Sequence, residues 1–600
     1  GAAHPVERWR QQIRDAILVR VHDAGVAGVL AALAVGDQAA IERDEWALYR
    51  NTGVAHLMSI SGLHLTMFAW LAGLGVGLAW RQSTRLMLAV PAPTAARWGG
   101  LLCAVAYALL AGWGVPAQRT VFMIGAVVLL RTLGLRWPTP LVLLVAALVV
   151  SLLDPWALLQ PGFWLSFAAV GLLIVSEPVS RAAGTAAQTL PARLRAVGAQ
   201  GLRTQAVATL GLAPLSMLFF QQVSVVGFVA NVAAIPLVTL LVTPLALLGV
   251  LAPPLWSLAG ALVQGLNAVL GFLAALPGAV WSAAAAPAWA VASGLLGGAL
   301  LLLPLPWRLR LLGLPMLLPL LAPAPERPSE GSFEFVAVDV GQGTAALVRT
   351  ARHLLVYDTG PQTAPEADAG ERVLVPLLRA RGEKAIDLLL LSHRDSDHVG
   401  GAASLLAAVS VRASSSSLAD THPLQARLPA HRRCDAGQRW AWDGVQFEVL
   451  HPLTSDHARP QKPNALSCVL LVSAANGQRA LLAGDIEADQ ETALVARAGG
   501  ALRADMLLVP HHGSRTSSTA AFIDAVAPRW AVVQAGYRSR FGHPAPDVVA
   551  RYTARGAEVL RSDRCGAWVW RPGASGGRCQ RRVAPRYWHH PGMVTSVPSE

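Results

Sequence analysis

The segment Ser392-His393-Arg394-Asp395-Ser396-Asp397-His398-Val399-Gly400-Gly401 places two imidazoles and two carboxylates within one short stretch. These are the side chains that a hard-to-borderline divalent cation selects. His393 and Asp395, two apart in an extended turn, face one point. Asp397 and His398, at the start of a helix, face a second point nearby. Two such pairs suit two cations about 3.5–4 Å apart, an arrangement that activates water and stabilises a leaving oxygen. A solvated surface turn rarely gathers these ligand types behind an apolar strand. More donors recur at other strand ends: Asp358 in Val356-Tyr357-Asp358-Thr359-Gly360, Asp485 after Leu481-Leu482-Ala483-Gly484, His511 and His512 after Leu507-Leu508-Val509-Pro510, and His543 in Phe541-Gly542-His543-Pro544. Asp485 is placed to bridge both cations. Singly, each reads as a capped turn or a surface histidine; jointly, they match the way α/β sheets carry their sites at strand ends.

The elements that position these residues are short β-type runs, Phe333–Val338, His353–Tyr357, Ile386–Leu391, Val445–Leu450, Cys468–Val472, Ala480–Leu482, Met506–Val509 and Trp530–Val533, alternating with helical stretches such as Gly401–Val409. They predict a soluble α/β domain of about 250 residues. The remainder differs sharply. The 600-residue chain is 54% hydrophobic and 14% charged, against about 25% charged in ordinary globular domains. That excludes a wholly soluble enzyme, a disordered chain and a fibrous repeat. Five cysteines without paired spacing exclude a disulfide scaffold and a cysteine zinc module.

Residues 1–50 open with a short amphipathic helix (Trp9, Ile13, Ile17, Leu18), followed by an apolar run, Ala24–Val35, too short to span a bilayer. From Leu57, long apolar runs recur as far as Leu321, about eight to ten membrane segments, several interrupted near Pro214, Pro236, Pro244 and Pro253-Pro254. Interrupted helices at membrane depth need protein or a water-filled cavity beside them. Between Ala55 and Pro325 the only acids are Asp154 and Glu177, against twelve arginines. A path for a polyanion and the cost of acids in lipid both explain that bias. Arginines 81, 85 and 97, then 131 and 136, then 181, 193, 195 and 203 fall in alternate loops, which predicts those loops in the cytoplasm and the N-terminus outside. Within the first segment, His56, Ser59, Ser61 and His64 are polar residues inside a span, with Ser61 and His64 on one face. Arg119 and the arginines from Arg551 to Arg586 are further phosphate-contact candidates.

The His393–Gly401 segment resembles the HxHxDH signature of the metallo-β-lactamase fold, with Asp358, Asp485 and a terminal histidine in the expected order. Val338-Asp339-Val340-Gly341-Gln342-Gly343, Val509-Pro510-His511-His512-Gly513-Ser514 and Phe541-Gly542-His543-Pro544 are similar to the C-terminal domain of ComEC-type competence proteins, the DNA-uptake channels of natural transformation. In the apolar half, the stretch from Thr52 to His64, Pro161-Gly162-Phe163-Trp164-Leu165-Ser166-Phe167 and Val229-Ala230-Asn231 resemble the same family. Three positions depart from the pattern. Asp395 stands where the general signature has a second histidine, which weakens zinc relative to manganese or magnesium. Asn464 and Ser467 occupy the region of a missing lactamase-fold histidine, and Thr344 replaces an acid after Gly343. The outward OB-like domain frequent near the family's N-terminus is absent, and the first residue is Gly, so the chain is expected to begin partway through a longer sequence.

The resemblance implies a polytopic α-helical membrane domain followed by a soluble α/β domain, an αββα sandwich of the metallo-β-lactamase type. The expected divisions are an interfacial N-terminal segment over 1–54, the channel domain over 55–322, a linker over 323–332, the lactamase-like domain over 333–570 and a basic tail over 571–600. It further implies a bacterial inner-membrane channel for single-stranded DNA, two divalent cations (Mn, Zn or Mg) and metal-dependent cutting of the other strand. Asp397, His398, Asp485 and one of His511/His512 would hold one cation, and His393, Asp395 and Asp485 the other. His543, or the second of the paired histidines, would stabilise the phosphate or protonate the leaving oxygen. Asp358, with Asn464 and Ser467, would orient ligands; His56, Ser61, His64 and Arg119 are the channel candidates. Membrane lipid and DNA are the implied partners, with the competence system's DNA-receptor and ATP-driven translocation proteins and further copies of the chain as additional ones. Two other functions compete: a membrane-anchored phosphodiesterase acting on a substrate other than DNA, and a channel whose lactamase-like domain only binds DNA.

Overall fold

The computed structural model describes residues 4–135, 137–176, 189–364 and 367–590. Arg136, Glu177 and Arg181 of the charge pattern, and the last ten residues of the basic tail, lie outside the described residues. The chain divides into two compact units between Pro323 and Ala324.

The first unit is helical. Three helical segments, Ala55–Trp80, Gly227–Leu248 and Pro254–Ala274, are each long and apolar enough to cross a membrane. Shorter apolar helices, including Thr139–Leu153, Pro161–Val175 and Ala288–Leu302, account for other runs of the expected eight to ten. Large apolar side chains such as Trp70, Leu74, Leu258 and Phe272 remain exposed, as a lipid-facing surface requires. The helices Gly62–Trp80 and Ala92–Leu110 approach through glycine: a Cβ at Gly73 would lie 2.8 Å from the Ala96 carbonyl oxygen, and one at Gly100 2.5 Å from that of Ala69. This is the small-residue contact by which membrane helices pack. Two expectations are corrected. Ala24–Val35 is not interfacial but sits in the core of the unit, buried on every side, as a helix apolar all round must be. The interruptions expected at Pro214, Pro236 and Pro244 are not there: Pro214 lies inside the continuous helix Leu190–Phe220, and the stretch containing Pro236 and Pro244 stays helical through a widened turn at Val238–Val242, whereas at Pro253-Pro254 the helix does stop, Thr243–Leu248 ending before Pro254–Ala274 begins.

The second unit is a two-sheet sandwich with helices on its outer faces. One sheet runs His431–Arg433, Ser410–Ser416, Ala385–Leu391, Leu354–Tyr357, Ala346–Arg349, Glu334–Ala337, Trp568–Trp570, Arg578–Cys579. The other runs Arg439–Trp442, Val445–His451, Val469–Ser473, Arg479–Leu482, Met506–Leu508, Trp530–Val533, Glu558–Arg561. Every run read from the sequence is a strand. Between the sheets Phe335, Tyr357, Phe447, Trp530, Trp568 and Trp570 form the core. Two further apolar layers, around Leu374 and Leu405 on one face and Phe522 and Val548 on the other, lie beneath the helices.

Four of the five cysteines pair, Cys434 with Cys468 and Cys565 with Cys579, contrary to the reading of their spacing. Sheet packing brings together positions 34 and 14 apart in sequence. The bridges supplement an apolar core rather than replace one. The C-terminal boundary also shifts, because Arg578–Cys579 pairs with Trp568–Trp570 as an edge strand. Tail arginines expected to await phosphate are engaged internally: Arg555 with Asp524, Arg561 with Asp563, Arg571 with Glu334 and Arg581 with Asp339.

Candidate metal centre

Strand ends from both sheets deliver the donors to one place. Leu354–Tyr357 ends in Asp358, Ala385–Leu391 runs into Ser392 and His393, Arg479–Leu482 leads to Asp485, and Met506–Leu508 leads to His511 and His512. Asp358, His511 and His512 all adopt left-handed backbone, at φ 57°, 49° and 53°. That conformation is uncommon outside glycine and is typical of strained functional turns. Gly343 sits at φ 145°, where a Cβ would strike the Asp397 carbonyl; its absence lets the Thr344 amide donate to that carbonyl at 3.0 Å. Thr359 holds the next carbonyl, donating to His398 from its amide at 2.7 Å and its hydroxyl at 2.8 Å.

Two overlapping triads result: His393, His398 and Asp485, and Asp397, His398 and His512. His398 Nε2 lies 3.2 Å from Asp485 Oδ1, while Asp485 Oδ2 lies 3.6 Å from His512 Nε2 and 3.9 Å from His511 Nε2. His512 Nε2 is 3.1 Å from Asp397 Oδ2. Asp485 therefore divides its oxygens between different imidazoles, as a bridging carboxylate does. Asp395 stands at the mouth, its side chain 43% exposed and its Oδ2 3.6 Å from His393 Nε2. His543 flanks the cluster, its ring 5.8 Å from that of His511 and 6.4 Å from that of His512.

Each clustered imidazole is oriented through its other nitrogen. His398 Nδ1 faces the fully buried Asp358 at 2.8 Å, and His512 Nδ1 donates to the Gln534 carbonyl at 2.9 Å. His393 Nδ1 meets the hydroxyls of Ser392 at 3.0 Å and Ser467 at 3.3 Å; His511 Nδ1 meets that of Thr516 at 3.0 Å. Ser467 Oγ also accepts from the Asp485 amide at 3.0 Å. Every Nε2 is thereby turned toward the shared space, the arrangement that metal-binding histidines use. Asn464 meets the cluster only through Glu487: it donates to Glu487 Oε1 at 3.4 Å, and that oxygen lies 3.4 Å from His511 Nδ1. Sequence reasoning had no signal for the Gln534 carbonyl, a backbone group, nor for buried Glu491, whose carboxylate accepts from the amides of Ser518 and Thr519 and pins the loop that follows His512.

The donors fit a divalent cation. His393 Nε2 is buried without a hydrogen-bond partner among the described residues, which costs about 1–3 kcal/mol unless a cation takes it, and His398 Nε2 and Asp485 Oδ1 face only each other, 3.2 Å apart and out of good hydrogen-bond alignment. Burial opposes every charge here, but the charges of Asp485 and Asp358 outweigh it at His398 and raise its pKa. Asp485 and the hydrogen bond to Asp397 do the same at His512. At Asp397, burial is outweighed by the His512 hydrogen bond and the charge of His398, which hold the carboxyl at about 2. Asp485 is held well below the usual carboxylate range by His398 and His512. His543 goes the other way, lowered by burial and then by the neighbouring imidazoles.

In the first unit, Ser61 and His64 form a reciprocal cap on Gly62–Trp80: Ser61 Oγ accepts from the His64 amide at 3.3 Å, and His64 Nδ1 accepts from the Ser61 amide at 3.4 Å. His64 is buried and His56 exposed. Arg119 is buried in Val115–Thr132 with its Nη1 unpartnered, and a Cβ at Gly162 would lie 3.3 Å from its Nη2. Asn231 Nδ2 donates to the Gly53 carbonyl at 3.2 Å, which ties the helix Gly227–Leu237 to the segment that leads into Ser61.

Two outcomes are expected of the metal centre. Since His398 and His512 hold protons above the ordinary histidine range, a cation must displace them. Affinity for Mn²⁺ or Zn²⁺ therefore rises with pH from about 6.5 upward and falls below it, with proton release on binding. Calorimetry in buffers of different ionisation enthalpy checks both. Asp358→Ala, which frees the His398 ring, weakens cation binding by about 10–100-fold in the same titration.

Comparison with known proteins agrees with both halves of this description. The family model described as competence protein matches residues 33–308, and that of the metallo-beta-lactamase superfamily matches residues 338–536. The chain is 36% identical to competence protein ComA of Neisseria gonorrhoeae, across 98% of this chain and 81% of that protein. It is 31% identical to YcaI of Escherichia coli, described as uncharacterized, across 94% of this chain and 73% of that one. With the ComE operon protein 3 of Bacillus subtilis it shares 27% identity over 91% of this chain and 71% of that protein. A helical unit with apolar, membrane-length segments, followed by a lactamase-type sandwich and aligned over 98% of its length with competence protein ComA, places this chain in the competence-protein family.

Proposed function

We propose that the protein conducts single-stranded DNA across the bacterial inner membrane in natural transformation, and that its C-terminal unit hydrolyses phosphodiesters of the strand left behind. The observation that carries the reading is the buried pair of cation triads, with unpartnered donors, in a chain of the competence family. When bound, divalent cations acidify a water and neutralise phosphate charge. His398 has one free nitrogen and can serve only one cation. His393, His398 and one Asp485 oxygen therefore form one set, and Asp397, His512 and the other Asp485 oxygen form the second. The sequence expectation instead put Asp397 and His398 together, a grouping that the cluster of Asp397, His398 and His512 also allows. His511, tethered through Nδ1, presents Nε2 beside Asp485. His543, kept neutral by its surroundings, offers one N–H to a phosphate oxygen or a leaving group.

In the membrane half, the near absence of acids, the buried Arg119 and the Ser61–His64 cap support a passage for a polyanion. Two cystines in the C-terminal unit support its residence on the oxidising, outer side of the membrane.

Asp397→Ala is expected to abolish cation-dependent DNA hydrolysis by the purified full chain. His64→Ala and Arg119→Ala are expected to lower transformation of cells while leaving hydrolysis intact. Normal uptake in a chain lacking residues 57–303 would defeat the channel. For sidedness, Ser329→Cys should react with a membrane-impermeant thiol reagent in intact cells; protection until lysis would put the domain inside.

A further inference from the structure

Beside the metal centre, the loop Gly536-Tyr537-Arg538-Ser539-Arg540-Phe541-Gly542-His543 alternates aromatic rings with guanidinium groups and contains no acid. Its ends are anchored. The Gly536 amide donates to Gln342 Oε1 at 3.3 Å, and just past His543 the Ala545 amide donates to the Gly513 carbonyl at 2.9 Å. Between these points Tyr537 and Phe541 are 43% and 55% exposed, large values for rings on a sandwich that buries its tryptophans. Arg538 and Arg540 lie over the Tyr537 and Phe541 rings, at 5.3 and 4.8 Å, with no carboxylate partner among the described residues. Most nearby arginines are paired: Arg515 with Asp547, Arg551 with Asp547 and Arg555 with Asp524. The Phe541 ring centre is 5.9 Å from that of His543, which itself lies 5.8 Å from His511. The loop is thus continuous with the cation cluster.

The ring of Tyr537 already shows what it accepts. The His590 imidazole stacks on it at 3.5 Å, with 9° between planes. A flat nitrogen heterocycle on an exposed aromatic, with unpaired guanidinium groups beside it, is the chemistry that holds unpaired polynucleotide. We propose that Tyr537–Phe541 is a strand-gripping lip, in which Phe541 and Tyr537 stack nucleobases and Arg538 and Arg540 hold the flanking phosphates. A base can stack there only once it has left its duplex partner, so the lip selects single-stranded substrate or an unpaired end. The inference rests on the phosphodiesterase reading of the adjacent centre and adds the class of substrate it admits.

The test is fluorescence anisotropy of a labelled oligothymidylate, and of a blunt duplex of equal length, with the detergent-solubilised full chain in EDTA, where nothing can be cut. Phe541→Ala is expected to weaken single-strand binding about tenfold and to leave duplex binding unchanged. Arg538→Ala with Arg540→Ala is expected to flatten the salt dependence by about 1.4 in log–log slope, about 0.7 for each phosphate no longer neutralised. Calorimetric Mn²⁺ binding equal to wild type shows that each variant is folded. Folded variants that bind the single strand as wild type does, or lose single strand and duplex alike, overturn the lip. A wild-type chain that binds through this loop yet hydrolyses no DNA with Mn²⁺, Zn²⁺ or Mg²⁺ overturns the phosphodiesterase reading alone.

Discussion

The metal centre depends on one buried carboxylate. Asp358 has no exposed surface, sits in left-handed backbone at the end of its strand, and accepts from the Ser392 amide at 2.6 Å, the Ser392 hydroxyl at 2.7 Å and His398 Nδ1 at 2.8 Å. A charge so placed is costly unless its lone pairs are filled. Filling them determines where the neighbouring strand ends and which way the His398 ring faces. With Nδ1 committed to Asp358, only Nε2 remains for a cation, and it points at Asp485. The fold and the ligand geometry therefore share a single set of hydrogen bonds.

The opposing charges around that carboxylate explain why the cluster is stable without being inert. Against the cost of burial, Asp485 and Asp358 raise the pKa of His398, Asp485 and Asp397 raise that of His512, and the imidazoles lower those of Asp397 and Asp485. Protons occupy the positions that a cation would take, so the two compete for the same lone pairs. His543 and the Tyr537–Phe541 loop lie just outside this network, exposed enough to meet a substrate. Several arginines elsewhere on the unit, Arg515, Arg555, Arg561, Arg571 and Arg581 among them, are paired with its own carboxylates. The electrostatic opportunity for a polyanion is thereby concentrated at the rim of the centre.

The helical unit solves a different problem. In lipid, apolar side chains gain little by meeting one another, so helices hold together through small residues and satisfied polar groups. Gly73 and Gly100 allow backbones to touch, and Ser61, His64 and Asn231 close hydrogen bonds at helix ends. Arg119 is a buried cation with an unfilled donor, and His64 Nε2 and Asn231 Oδ1 are likewise without a partner among the described residues; such groups in a membrane protein mark function.

Much of this was legible in the residues. Short apolar β-type runs marked the strands, the length of apolar segments marked the membrane half, and the spacing of His393, Asp395, Asp397 and His398 marked the centre, because each of these signals is local. The short polar strands Ser410–Ser416 and His431–Arg433 escaped notice, since their pairing is with a neighbouring strand rather than with an apolar layer. Ala24–Val35 was misplaced because an apolar helix gives no sign of which body will bury it. The cystines were missed for a related reason: only sheet packing makes those positions neighbours. Tertiary structure alone decided that His393, Asp397, Asp485 and His512 gather around His398, and that Asn464 reaches them only through Glu487. Residue type sets which atoms can bind a cation, but the direction of each lone pair is set by what its other nitrogen or oxygen touches, and several of those contacts come from other strands, 40 residues away for Asp358 and His398 and 74 for Ser467 and His393.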